Sequence, residues 1–355
     1  MIAVFFITLA IGQLMSAYRC LYGASLTGRF RIAGFLAGIL LLIVGALRLP
    51  ADWIVLWWTP LAAIATLSLL LVAGSWVAPI PSPETIFSAT HPAHSGCQRV
   101  AIPDGNFSTP GLLMKPPATS EYSRAAVCII HGAGDNKTMF KWRLVQSLLA
   151  ENMTVLAVDL PGHGDYRHRP LTYPDGLSTV VAAVRFLRQQ TDTESVGLIG
   201  ISLGGAFAIN ALVQEPHLVD GLVVVATPGQ LHYDKKLVYQ VMWNTYYRSP
   251  VVDLLREITV RQARWAWKSG GYRSPLNTSQ WFDLLKPLEC IQRLKTLPIL
   301  LVYSQRDAIA SRQDAQAMRI AVPHADYLEA APASHVMVTL MPVVNRRLAR
   351  WLRQT

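Results

Sequence analysis

The 355-residue chain is 52% hydrophobic, has a mean hydropathy of +0.29 and carries a formal charge of +10. The hydropathy is high for a soluble protein, and its excess lies in residues 1–80, where Arg19, Arg29, Arg31, Arg48 and Asp52 are the only charges. Four scattered cysteines (Cys20, Cys97, Cys128 and Cys290) form no C-x-x-C pair, which argues against a disulfide framework and a zinc site. The basic residues gather in no nucleic-acid-binding motif, which argues against a nucleic-acid partner.

Three apolar stretches, at about 2–18, 32–49 and 53–80, have the length that crosses a hydrocarbon core. A cleaved signal peptide is not expected, because the first residues lack a positive charge and Tyr18-Arg19-Cys20 is a poor cleavage site. The loop after the first stretch carries three arginines and no acid, which predicts that it is cytoplasmic. A short neutral loop then lies outside, and the third span returns the chain to the cytoplasmic side. Trp53, Trp57, Trp58 and Trp76 lie near the ends of that span, as interfacial tryptophans do. The lipid bilayer is thus an expected partner.

A linker rich in proline, with Pro79, Pro81 and Pro83, follows over 81–97. His91-Pro92-Ala93-His94 reads as part of it rather than as a metal site. Of the 32 basic and 22 acidic residues, four and two lie before residue 99, which leaves a charge of +8 on the remainder. At a cytoplasmic face that charge favours contact with anionic headgroups.

From residue 98 the pattern changes to alternating strands and helices. An antiparallel hairpin is predicted over 98–102 and 111–115 around Asp104-Gly105-Asn106. A buried strand over 125–130 ends in His131-Gly132-Ala133-Gly134-Asp135. Trp142, Leu144, Val145, Leu148 and Leu149 then recur at helical spacing. A strand over 155–158 ends in Asp159-Leu160-Pro161-Gly162-His163-Gly164, and Val180, Val181, Val184 and Leu187 mark the next helix. Further strands are expected at 195–199, 222–226, 299–303 and 326–330. Such alternation implies a mostly parallel sheet covered on both faces, with active groups at the strand carboxyl ends.

Gly200-Ile201-Ser202-Leu203-Gly204 joins one of those strands to a helix. The glycines permit a sharp strand-to-helix turn, and the serine hydroxyl then stands above the sheet beside a helix N-terminus.

Over about 98–355 the chain resembles an α/β-hydrolase. The resemblance rests on the serine elbow, the order Ser…Asp…His, the His131-Gly132 turn and the Asp159–Gly164 segment. The His131-Gly132-Ala133-Gly134 turn is similar to that of monoacylglycerol lipases and lysophospholipase-like esterases. What the resemblance implies is a Ser202 nucleophile, His335 as its base and Asp307 orienting the imidazole. His335 alone of the nine histidines follows the last strand, whereas His324 precedes it, and His131 and His163 read as structural. Asp314, on a helix, is the nearest competitor of Asp307. Backbone N–H groups of Leu203 and, by the family pattern, Ala133 would hold the oxyanion. A serine at the elbow argues against the branches that use a carboxylate there. Nothing in the sequence calls for a metal or cofactor.

Residues 231–290 form an insertion that holds ten of the chain's 32 aromatic residues, including Trp243, Trp265, Trp267 and Trp281. In the resembling enzymes a helical cap sits here; most of these rings, taken singly, read as the cap's own core, and collectively a cap rich in rings suits an apolar acyl chain. The expected partner is therefore a small-molecule ester. A non-catalytic protein that uses this fold for binding is the alternative, which the complete Ser, Asp and His set disfavours. Thioesterase, amidase and peptidase activities would use the same residues.

Overall fold

A computed structural model describes residues 97–116, 124–138, 142–190, 193–232, 236–237, 272–330 and 332–355. The three apolar stretches, the linker up to residue 96 and the larger part of the insertion lie outside the described residues. Among the described residues no helix is long and apolar enough to cross a membrane.

The chain opens with a hairpin of β1 (Cys97–Asp104) and β2 (Phe107–Met114). Asp104 pairs with Phe107 across Gly105 and Asn106, and Gly105 takes φ +60°, the backbone that a two-residue hairpin favours at its first central position. There follow β3 (Ala125–Ile130), α1 (Trp142–Ala150), β4 (Thr154–Val158), α2 (Tyr173–Arg188), β5 (Ser195–Ile201), α3 (Leu203–Gln214) and β6 (Gly221–Val225). After the insertion come α4 (Thr278–Leu285), α5 (Pro287–Ile291), β7 (Ile299–Ser304), α6 (Arg312–Ala321), β8 (Asp326–Ala330) and α7 (Pro342–Gln354).

The eight strands form one sheet in the order β1-β2-β4-β3-β5-β6-β7-β8. β2 is antiparallel to β1 and β4, and every other pair is parallel. The central strands read as continuous apolar runs because both of their faces are covered. Two glycines of β5 show how. A Cβ on Gly197 would strike Leu352 of α7, and one on Gly200 would strike the backbone of Gly204 and Gly205 in α3. Residues three apart on a strand point to opposite faces, so α3 and α7 cover opposite sides of the sheet.

The strand boundaries agree with the sequence reading to within two residues at each end except at the hairpin, whose strands extend further toward the turn. Ala226 leaves β6 at φ +48° instead of ending it. Two expectations need correction. His335 opens a short 3-10 turn (His335–Leu340) instead of sitting in an open loop. The end of the predicted insertion is part of the core: α4 and α5 pack on α3, and Trp281 is fully buried with its ring 5.2 Å from that of Phe207. Trp281 packs against Phe207 of α3 and Phe282 is likewise buried, so neither ring is exposed to line a cap.

Candidate active site

β5 ends directly in Ser202, which takes φ +52° and ψ −118°, a strained backbone for any residue with a side chain. Its surroundings hold it there. The Ser202 N–H donates to the Val225 carbonyl at 2.8 Å, and its own carbonyl accepts from the Thr227 hydroxyl at 3.0 Å. The Tyr303 hydroxyl donates to the Thr227 carbonyl at 2.6 Å. Burial, followed by the charges of Asp314 and Asp307, pushes that hydroxyl well above its ordinary range, so it stays a donor. A side chain at Gly204 would come 2.3 Å from the His131 carbonyl oxygen, and one at Gly205 would collide with Thr227. Close backbone thus requires the glycine at 204, and the Thr227 side chain requires the one at 205.

His335 and Asp307 arrive from two neighbouring strand ends. Ser304, the last residue of β7, donates its hydroxyl to the Ala333 carbonyl at 2.9 Å and accepts from the Ala333 N–H at 2.8 Å. One side chain therefore ties the turn before Asp307 to the loop before His335. Asp307 is 5% exposed, and its Oδ1 accepts from the Ile309 and Ala310 N–H groups at 2.8 and 3.0 Å. Its Oδ2 lies 2.7 Å from His335 Nδ1, and His335 Nε2 lies 3.0 Å from Ser202 Oγ. A carboxylate only accepts, so Nδ1 carries the hydrogen and Nε2 is free to accept from the serine hydroxyl. Ser202, more than a hundred residues before the other two in sequence, stands with His335 and Asp307 in one hydrogen-bonded series.

The pattern of this fold extends through the sequence. A model of the alpha/beta hydrolase family matches residues 126–346. The chain belongs to that family. Its curated relatives include an uncharacterised protein of Mycobacterium tuberculosis, 38% identical over 107 residues that make up 30% of each chain. A pimeloyl-[acyl-carrier protein] methyl ester esterase of Xylella fastidiosa is 38% identical over 103 residues, 29% of this chain and 37% of that one. The chain thus spans about a third of the length of these relatives. A bromoperoxidase of Bacillus anthracis shares the fold with a TM-score of 0.54 at 12% identity, over 73% of this chain and 100% of that one.

Within this hydrolase fold the other polar residues singled out by sequence have separate duties. Asp314 accepts from the Ser311 N–H and hydroxyl, completing the capping box at the start of α6, and from the Gly229 N–H, so its carboxylate serves the helix start and not the imidazole. His324 Nε2 is 3.3 Å from the Leu297 carbonyl, before β7, at the opposite end of the sheet from Ser202. His131 is fully buried; its Nε2 accepts from the Leu160 N–H at 3.0 Å, which leaves Nδ1 to donate to the Gly132 carbonyl at 2.8 Å. His163 Nδ1 lies 2.9 Å from the Pro161 carbonyl, and its ring is stacked on that of Tyr272 at 5.0 Å. Both histidines brace turns.

The two backbone groups expected to face an oxyanion are placed as follows. Leu203 is the first residue of α3. The Gly205 N–H already bonds the Ser202 carbonyl, which leaves the Leu203 and Gly204 N–H groups without an acceptor in their own helix. Gly132 passes so close to the serine that a Cβ on it would lie 3.1 Å from Ser202 Cβ, and Ala133 follows it directly.

One buried cluster has no counterpart in the sequence reading. Lys137 is 4% exposed, and its ammonium donates to Asp159 Oδ2 and Asp165 Oδ2, both at 2.6 Å. The Lys137 N–H donates to Asp159 Oδ1 at 2.8 Å, and the Asp165 N–H to Asp159 Oδ2 at 2.9 Å. Burial alone would lower the lysine's pKa; the two carboxylates outweigh it and raise it. The sequence signal was slight: a single lysine in Asp135-Asn136-Lys137-Thr138, among ordinary loop residues.

Proposed function

We propose that the chain is a membrane-anchored serine hydrolase that cleaves carboxylic esters of apolar acyl groups. The observation that carries this reading is the bonded series from Asp307 through His335 to Ser202, in the tautomer that a general base requires. Ser202 Oγ attacks the ester carbonyl carbon while its proton passes to His335 Nε2. The carbonyl oxygen takes the negative charge and is held by the Leu203 and Ala133 N–H groups. Collapse expels the alcohol, which takes the proton from His335 and leaves an acyl group on Ser202. Water then repeats the sequence with His335 as its base, releasing the acid and the free serine.

Three features support an acylglycerol or lysophospholipid as substrate. They are the likeness of the His131–Gly134 turn to that of monoacylglycerol lipases and lysophospholipase-like esterases, the aromatic residues of 231–290 other than the buried Tyr272, Trp281 and Phe282, and the apolar N-terminal stretches. A relative named as a methyl ester esterase supports ester chemistry. In this reading residues 1–80 cross the bilayer about three times and the hydrolase domain lies on the cytoplasmic side.

The test is hydrolysis of p-nitrophenyl esters of graded acyl length by the full chain in detergent, beside Ser202→Ala. Turnover that rises with acyl length and vanishes in the variant is expected. Turnover equal in both proteins would refute the reading. Membrane anchoring is checked separately: the full chain should stay in the membrane pellet through an alkaline carbonate wash, and release into the supernatant would contradict it.

A further inference from the structure

We infer that Lys137 is a positioning residue for the oxyanion donor at Ala133, an inference that rests on the serine-hydrolase reading. Ala133 lies between Gly132 and Gly134, the latter at φ +72°, so the segment that must present its N–H has little stiffness of its own. Oxyanion stabilisation tolerates little misplacement, because the donor must meet a charge that exists only in the transition state. The stiffness must come from the segment's anchors.

There are two anchors, one on each side of Ala133, and both reach the turn after β4. On one side, two residues before Ala133, the His131 imidazole accepts from the Leu160 N–H. On the other, four residues after it, Lys137 grips Asp159 with its backbone N–H and its ammonium, and reaches Asp165 as well. Between the anchors the chain is folded on itself. The Asp135 N–H donates to the Gly132 carbonyl at 3.4 Å, and just beyond the second anchor the Thr138 N–H and hydroxyl reach back to Asn136 Oδ1.

The post to which Lys137 is fixed is itself immobile. Asp159 follows β4, which is paired with β3 along its length, and the aspartate is fully buried. Gly164 at φ +47° packs so tightly on the carboxyl group that a Cβ there would come within 2.4 Å of it. Every side-chain bond of Lys137 goes to the two carboxylates, so its influence on the reaction travels through the backbone of 132–137.

The experiment uses the full chain in detergent with Lys137→Met, Lys137→Arg and Asp165→Asn. Asp165 is the milder site, because its side chain is 57% exposed and its loss leaves Lys137 paired with Asp159. Three quantities are read: kcat and KM on p-nitrophenyl butyrate, the affinity for a trifluoromethyl ketone that forms an oxyanion adduct, and amide hydrogen exchange over 131–138. Lys137→Met should lower kcat by about 10- to 100-fold at a KM within about twofold of wild type. Ketone affinity should fall by the same factor, exchange should quicken, and Lys137→Arg should recover most of each.

A folded Lys137→Met protein with wild-type kcat and ketone affinity would overturn the inference, as would a change confined to KM. If that variant does not fold, Asp165→Asn decides: unchanged kcat, ketone affinity and exchange overturn the inference equally, and a loss of kcat and ketone affinity together at an unchanged KM supports it. A wild-type protein that neither turns over the ester nor binds the ketone defeats the hydrolase reading itself, and the role of Lys137 with it, whatever the exchange data show.

Discussion

The two flanks of Ser202 are held by different means. On the β7–β8 side, Asp307 and His335 are set by neutral groups: the Ser304 hydroxyl on Ala333, and the Ile309 and Ala310 N–H groups on the Asp307 carboxylate. On the β3–β4 side, the loops meet across a buried ammonium flanked by two carboxylates. A hydrogen bond between uncharged groups contributes about 1 kcal/mol net and one to a carboxylate about 1.5–3 kcal/mol, whereas removing one member of a buried ion cluster costs about 3–5 kcal/mol because a charge is left without its counterpart. Damage on the first flank should therefore appear mainly in activity, and damage on the second in stability as well.

The largest expected effect is on the first flank. In Asp307→Asn the two backbone N–H groups keep the amide oxygen facing Ile309 and Ala310, and the NH2 group turns toward His335. The imidazole must then accept at Nδ1 and carry its hydrogen on Nε2, where it can no longer take the serine proton. Steady-state kinetics should show kcat lower by about 10³–10⁴-fold with stability little changed. Asp159→Ala tests the second flank. Urea unfolding should report a loss of about 3–5 kcal/mol, as Lys137 keeps only the half-exposed Asp165. A loss below about 1 kcal/mol would erase the contrast between the flanks. The smallest effect belongs to Ser304→Ala, which frees the Ala333 N–H and carbonyl. It should cost about 1 kcal/mol of stability yet lower kcat by about tenfold through a misplaced His335.

Much of this architecture could be read from the chain itself. The strands of the sheet centre announce themselves as short apolar runs closed by glycine, proline or aspartate, because burial on both faces leaves no polar alternation to confuse them. Ser202, Asp307 and His335 are what the resemblance to α/β-hydrolases implies, each lying beyond a strand end, and the structure brings the three side chains within hydrogen-bonding distance. Lys137 was not found, because its partner Asp159 lies 22 residues away and meets it only through the pairing of β3 with β4. Trp281 was grouped with the insertion by sequence neighbourhood, whereas its burial against Phe207 depends on the course of the returning chain. α7 carries its signal in the sequence: Val344, Leu348 and Leu352 recur at four-residue spacing behind Pro342, and all three side chains are buried.

The central claim is that His335 and Asp307 activate Ser202. It is tested most directly by reacting the full chain with a fluorophosphonate and locating the adduct by mass spectrometry. The account predicts a single adduct on Ser202, formed much more slowly in Asp307→Asn and absent in Ser202→Ala. An adduct on another residue, or none under conditions in which the protein stays folded, would contradict it.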